Sequence, residues 1–260
     1  MLLALAGLTG VSGFAADTGT TLATSDSSTN TPAGRAEVAY ISARQKHETQ
    51  RTNTLATLEF ARASFEWAEF ATNSAQRAAI AEAAIDACRE VLARNSNSAP
   101  AHYYLGINLG QLARTKLLGA LKIVEQMEDE FKAAVALDPN FDHAGPHRTL
   151  GLLYEKSPGW PASIGNRRKA ITHLRKAVEL SPQFPPNALN LVEAYLLWDD
   201  TKSARAELKY LGETLAAARS KFTGEAWRDV WPEWEQRWEQ IKLRLRPTKP
   251  NLKSPADSVR

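Results

Sequence analysis

One pattern recurs along the middle of the chain and limits what it can fold into. His147-x2-Leu150-Gly151-x2-Tyr154 is followed by Ala170-x3-Leu174-x2-Ala177 and closed by Pro182. The next stretch repeats it as Ala188-x2-Leu191-Val192-x2-Tyr195 followed by Ala204-x3-Leu208. Upstream, His102-x2-Leu105-Gly106-x2-Leu109 opens a unit that ends in Phe131-x2-Ala134 and Leu137-Asp138-Pro139. Each half carries apolar residues at helical spacing, so each unit is a pair of helices. A helix pair cannot bury its apolar faces alone, and such units stack into a solenoid with a concave inner surface.

The slots have ordinary packing causes. Gly106 and Gly151 let the two helices of a pair approach closely, at a helix-propensity cost of about 1 kcal/mol against Ala. Pro139 and Pro182 stop the helices that lead into them, because the residue before a proline avoids the helical region. From Val192 to Ala204 the spacing is 12 residues, that of an uninterrupted repeat. It is stretched to 21 from Gly106 to Met127 and to 19 from Gly151 to Ala170. A weaker unit precedes these, with Ala84, Cys88 and Val91 in second-helix slots. The pattern is similar to the tetratricopeptide repeat (TPR), and the expected fold is all-α: a TPR α-solenoid with extra flanking helices.

The coarse map follows. Ala36 to about Ala71 reads as one long helix or two, with Leu55, Leu58, Ala61, Phe65 and Ala68 on one stripe. Helices near 75–94, 100–113, 116–137, 146–156, 166–180, 186–198 and 201–219 come next, and a last one runs from Pro232, suited to a first helical turn, to Arg244. The ends differ. Met1 to Val11 is apolar and uncharged, and Ser12-Gly13-Phe14-Ala15 offers the small residues of a cleavage site, so 1–16 is expected to be a signal peptide. Residues 17–34, rich in Thr, Ser and Ala, read as a disordered linker, 35–245 as the repeat domain, and 246–260 as a polar tail. A single cysteine, Cys88, fits an exported protein without disulfides and is expected in the core. The expected location is the periplasm, without a lipid anchor.

Several pieces of this sequence together resemble the TatT family: Leu105-Gly106-Ile107-Asn108-Leu109-Gly110, the stretched segment through Val124-Glu125, and the Leu150-Gly151 turn. To these is added the loop Pro158-Gly159-Trp160-Pro161-x3-Gly165 ahead of Lys169-Ala170. TatT proteins are periplasmic TPR components associated with tripartite ATP-independent periplasmic (TRAP) transporters. The resemblance spans roughly residues 75 to 215, with the two insertions and Asn108 as its most specific parts. It implies partnership with an extracytoplasmic solute-binding protein, trimerisation, and a hydrophobic or organic-acid cargo. Those proteins are typically lipid-anchored, and this sequence departs from them in having no lipobox cysteine.

The repeat frame nominates residues for the concave surface. Positions around each Leu-Gly pair give Tyr103 and Ile107, Arg148 and Leu152, Leu189 and Glu193. One turn further come Gln111, Glu155 with Lys156, and Leu197. Asn108 joins them through the resemblance, and Trp160 as a loop tryptophan with nothing periodic around it. The lining expected from this set is mixed and largely apolar. Burial of each methylene contributes about 0.8 kcal/mol, so an apolar ligand is energetically reasonable there, although Ile107, Leu152 and Leu197 are equally read as core.

Other chemistry is thinly represented. His143-x3-His147 has the spacing of two metal ligands on a helix, but Gly145-Pro146 lies between them and Pro146 interrupts a continuous helix. His102 and His147 instead occupy the slot where this repeat usually has Trp. Glu128-Asp129-Glu130 reads as a solvated helix face. No phosphate-cradling glycine loop, nucleophile elbow or zinc spacing is present, so neither an enzyme nor a resident cofactor or metal is expected. The balance of 32 basic and 29 acidic residues, net +3, is too mild for nucleic acid, which needs a broader basic stripe. Trp227, Trp231, Trp234 and Trp238 fall on one side of a helix, read as a cap over the last repeat or as an interface or cleft wall.

Two functions are therefore expected. The first is a periplasmic accessory handling an apolar or organic-acid ligand for a TRAP-type transporter. The second is a protein-interaction scaffold in envelope assembly without a small ligand.

Overall fold

The computed structural model describes residues 31–116 and 118–246. The expected signal peptide, residues 17–30 of the expected linker and residues 247–260 of the tail lie outside them. Eleven helices follow in order among the described residues: α1 (Pro32–Thr49), α2 (Thr54–Ala68), α3 (Ser74–Arg94), α4 (Ala99–Ala113), α5 (Ala120–Leu137), α6 (Phe141–Lys156), α7 (Arg167–Leu180), α8 (Pro185–Leu197), α9 (Thr201–Lys221), α10 (Glu225–Arg228) and α11 (Trp231–Leu245). The fold is all-α: the described residues contain no strand, only an isolated bridge between Gly159 and Gly165. The Ala36–Ala71 stretch is two helices, and α1 opens at Pro32, inside the segment read as linker.

Local sequence sets most of the boundaries. The side chains of Asn53, Asn73, Ser98, Asn166 and Asp200 accept hydrogen bonds from first-turn amides of α2, α3, α4, α7 and α9. Such caps are worth about 0.5–2 kcal/mol each. Prolines occupy the first turns of α1, α4, α8 and α11, where a missing N–H costs nothing.

The helices pack as α2/α3, α4/α5, α6/α7 and α8/α9 pairs. The first members form a row, α2 against α4, α4 against α6 and α6 against α8, and α11 continues that row by packing on α8. α1 lies on α2, where His47 stacks on Phe60 with ring centroids 5.1 Å apart. The solenoid curls far enough for Arg35 of α1 to bond Asp229, just beyond α10, through its Nε at 2.9 Å. Gly106 and Gly151 sit where the first helix of a pair meets the second. A Cβ on Gly106 would run into the Phe131 ring, and one on Gly151 would lie 2.8 Å from Leu174 Cγ and 3.1 Å from its backbone nitrogen. Ala84, Cys88 and Val91 are buried in α3.

Two features differ from the sequence expectation. The four tryptophans do not share one helix: α10 ends at Arg228 and α11 begins at Trp231. Trp227 and Trp234 meet across that break, 6.0 Å apart, over Phe184 and Phe222. This aromatic cluster seats α10 and α11 on the last repeat. The acidic run is not a plain solvated face either. Glu128 is buried, accepts a hydrogen bond from the Tyr154 hydroxyl at 2.5 Å and pairs with Lys132 at 2.8 Å, while Glu130 contacts His102 Nδ1 at 2.6 Å. Burial pushes the Glu128 carboxyl up, but the bonds from Lys132 and Tyr154 outweigh it and hold it below its ordinary range. The nine- and seven-residue insertions resolve into the α4–α5 connection, where Leu118 is exposed, and the α6–α7 loop.

Candidate functional site

Around Pro146 the backbone does something unusual. Asp142, His143 and Ala144 all have positive φ, at 49°, 54° and 61°, so α6 enters through a left-handed turn before Pro146 begins the regular helix. Left-handed conformation costs an L-residue about 1–2 kcal/mol, and a buried network holds it in place. Asp142 accepts from the Tyr103 hydroxyl at 2.8 Å and pairs with Arg148 at 3.1 Å, the two charged side chains each 1% exposed. Arg148 also donates to the carbonyl oxygens of Asp142 and His143 and to Asn187 Oδ1, and Asn187 Nδ2 donates to the His143 carbonyl oxygen. A Cβ at position 145 would lie 2.9 Å from the Tyr103 hydroxyl, which explains the glycine. Burial, then the charge of Asp142, pushes the Tyr103 hydroxyl well above its ordinary range, so it stays a donor.

This arrangement relocates two nominated residues: Arg148 and Tyr103 brace the turn from inside and do not face the groove. His143 stacks on Phe184 at 4.5 Å and His147 contacts His173 through their Nδ1 atoms at 2.9 Å. The two therefore diverge, as expected from Gly145-Pro146. No group of three or more His, Cys, Asp or Glu arranged for a metal occurs among the described residues.

The concave side holds a cleft of about 440 Å³. Glu69 at the end of α2 forms one wall, Leu152, Glu155 and Lys156 of α6 and Asn190 and Glu193 of α8 another, and Glu233, Gln236, Arg237 and Gln240 of α11 close it. Leu152 is the single apolar residue of these ten, so charged and amide side chains line the cleft where the sequence suggested a largely apolar set. The reason is α11: its Glu233, Gln236, Arg237 and Gln240 recur at helical spacing on the side away from Trp234, and that polar stripe faces the cleft.

The charges are unequally satisfied. Arg237 donates to Glu193 through Nε at 2.8 Å and through a terminal nitrogen at 2.6 Å, donates to Asn190 Oδ1, and lies 3.6 Å from Glu233. Burial works against its charge, but Glu193 and the neighbouring carboxylates outweigh burial and keep it protonated. Glu69 is held by Arg114 at 2.8 and 2.9 Å and by Gln111 Nε2 at 2.6 Å. Gln111 thus acts beneath the cleft, fixing the orientation of Glu69. Glu155 differs: its side chain is 8% exposed, its salt-bridge partner is Lys156 at 3.9 Å, and burial pushes its carboxyl above the usual range. Asn190 is 2% exposed, and its Nδ2 has no acceptor.

Of the nominated residues, Leu152, Glu155, Lys156 and Glu193 come together in the cleft. Ile107, Asn108, Gln111 and Leu189 are buried, because neighbouring first helices pack against one another at those positions. Asn108 donates to the carbonyl oxygens of Ala61 on α2 and Tyr104 on α4. Trp160 in the α6–α7 loop and Leu197 at the end of α8 are exposed, 89% and 54%, outside the cleft lining. Glu69, Asn190, Glu233, Gln236, Arg237 and Gln240 were missed by sequence reasoning. The 233–240 polar spacing was the signal available, and nothing in the sequence connects it with Glu69.

Known proteins resemble this chain in two ways. Residues 21–151 match the model of a family described as regulator of microtubule dynamics protein 1-3. No curated protein matches the chain. Among solved structures, the thermophilic TPR protein TTC0263 of Thermus thermophilus is similar, with 19% identity, a TM-score of 0.57, and coverage of 81% of this chain and 92% of that one. That likeness bears on fold, and it agrees with the TPR solenoid. MamA is also similar, at 20% identity and a TM-score of 0.46, covering 72% of this chain and 91% of its own.

Proposed function

The chain belongs to the regulator of microtubule dynamics protein 1-3 family, and from that premise and the cleft we propose that it is a TPR binding protein that holds a segment of a partner protein on its concave side. The observation that carries this reading is the cleft itself, walled by α6, α8 and α11 and lined by carboxylates, side-chain amides and Arg237. Side-chain amides offer donors and acceptors together, which suits the backbone of an extended peptide. A pocket of this volume falls in the ordinary range for a bound ligand. The regulation of microtubule dynamics named in the family's description would, for this chain, be exercised through such binding.

The transport role implied by the TatT resemblance is a narrower proposal. It calls for an apolar or organic-acid cargo, a solute-binding protein as partner and a homotrimer. Lys156 and Arg237 are the cleft groups that favour an organic anion, yet Arg237 is already bonded to Glu193, and Leu152 is the one apolar residue among the ten that line the cleft. The cleft therefore supports a peptide better. Export to the periplasm is proposed from residues 1–16 alone, and fractionation of cells expressing the full chain tests it.

Site-specific photocrosslinking tests the main reading. Benzoylphenylalanine at Gln240, in the cleft, should give a discrete protein adduct in cells, and the same group at Lys209, exposed on α9, should not. Adducts of equal yield from both positions, or none from Gln240, would overturn it.

A further inference from the structure

The exposed Trp160 loop, the His147–His173 pair and the cleft each hold side chains that could meet a ligand. The cleft carries the argument furthest, because two of its groups are poorly satisfied by the protein. The Glu193 and Glu69 carboxylates are each bonded by an arginine. The Glu155 carboxylate accepts no hydrogen bond within the protein, and Lys156 stands 3.9 Å from it. A side-chain carboxylate nine-tenths buried, with Lys156 at 3.9 Å as its salt-bridge partner and no hydrogen bond, is costly to keep, and a cation delivered into direct contact relieves it. Asn190, buried at the same wall, has an Nδ2 without an acceptor. A buried donor left unmade is likewise unfavourable, and a carbonyl oxygen completes it.

We infer that the cleft recognises one Arg or Lys side chain of an extended partner segment, its cationic head bonded to Glu155 and its backbone carbonyl groups met by Asn190 and by Gln236 and Gln240. The inference deepens the peptide-binding reading and rests on it. The two poorly satisfied groups ask for opposite things, a cationic donor and a carbonyl acceptor, and a peptide bearing a basic residue supplies both. A free polyamine supplies only the first. A metal ion is a poor match, since one carboxylate beside side-chain amides lacks the donor number that metals take. A planar guanidinium also fits a carboxylate bidentately, so Arg is preferred over Lys.

The test is titration of the full chain with acetylated, amidated pentapeptides Ala-Ala-X-Ala-Ala, where X is Arg, Gln or Glu, and with spermidine. It is followed by NMR of the Leu152 methyl groups and the Asn190, Gln236 and Gln240 side-chain amides. The Arg peptide should shift these signals saturably. The Gln peptide should bind about tenfold or more weakly, and Glu155→Gln should weaken the Arg peptide by a similar factor, because a hydrogen bond to a charged group is worth about 1.5–3 kcal/mol. Should Glu155→Gln fail to fold, the Arg and Gln peptides compared on the native chain still decide. Equal binding of the Gln or Glu peptide, or an undiminished Glu155→Gln variant, would overturn the cationic preference while leaving peptide binding intact. Spermidine binding as tightly as the Arg peptide would overturn the peptide as occupant. Silence from every peptide would overturn both readings.

Discussion

Replacing Asp142 by Ala strands a buried guanidinium. Asp142 and Arg148 are 3.1 Å apart and both 1% exposed, so the arginine keeps its burial and loses its carboxylate. Breaking one partner out of a buried pair costs about 3–5 kcal/mol. The Tyr103 hydroxyl loses its acceptor at the same time. Position 142 must also stay in the left-handed region at φ 49°, which Asp tolerates better than Ala. For a domain of this size, about 2–4 °C of melting temperature per kcal/mol makes the expected drop roughly 6–20 °C. Circular dichroism melts and urea titrations of Asp142→Ala, Arg148→Met and the double variant supply the check. The double variant should recover much of the loss, since removing both charges leaves none unpaired. A loss below about 1 kcal/mol for Asp142→Ala, or a double variant no more stable than it, would refute the account of the turn as held by this pair.

Other outcomes follow from single contacts. The His173 imidazole is pushed down from 6.5 to about 4, by burial first and then by His147. The unfolded chain therefore binds more protons between those values, and stability present above pH 6.5 is lost as pH falls towards 4. The urea midpoint of His173→Gln should fall less over that window than that of the native chain. Gly151→Ala places a Cβ 2.8 Å from Leu174 Cγ and 3.1 Å from a backbone nitrogen. The overpacking cost of about 1–3 kcal/mol should exceed the gain in helix propensity of about 1 kcal/mol, giving a net loss by urea unfolding. Trp234→Ala empties the aromatic cluster under the cap and should cost about 3–5 kcal/mol. Hydrogen exchange should rise in α10 and α11 while α4 stays protected, as expected where repeats couple only to neighbours. The Cys88 thiol, buried in α3 and pushed up by burial, should react with a disulfide reagent only after urea is added.

Much of this was readable from local rules. Gly106 and Gly151 announced close helix approaches, and Phe131 and Leu174 are found against them. Gly145-Pro146 announced the interruption that separates His143 from His147. Pro232 announced the first turn of α11. The groove set was harder, because a repeat template assigns faces without knowing how tightly neighbouring first helices pack. Ile107, Asn108 and Leu189 vanish into those contacts, and Arg148 turns inward because a carboxylate six residues earlier waits there. The tryptophan spacing drew attention to the buried side of α11 and away from its polar one.

Periodicity, glycines and prolines act over a few residues, so the sequence by itself determined that this protein is a row of paired helices and the approximate span of each from α3 to α9. The cleft depends on residues as distant as Glu69 and Arg237 meeting across the curl of the solenoid. Its polar character depends on which side of α11 the aromatic cluster leaves free. Only the tertiary structure decides those points, because superhelical curvature accumulates from small rotations between repeats that no local pattern records.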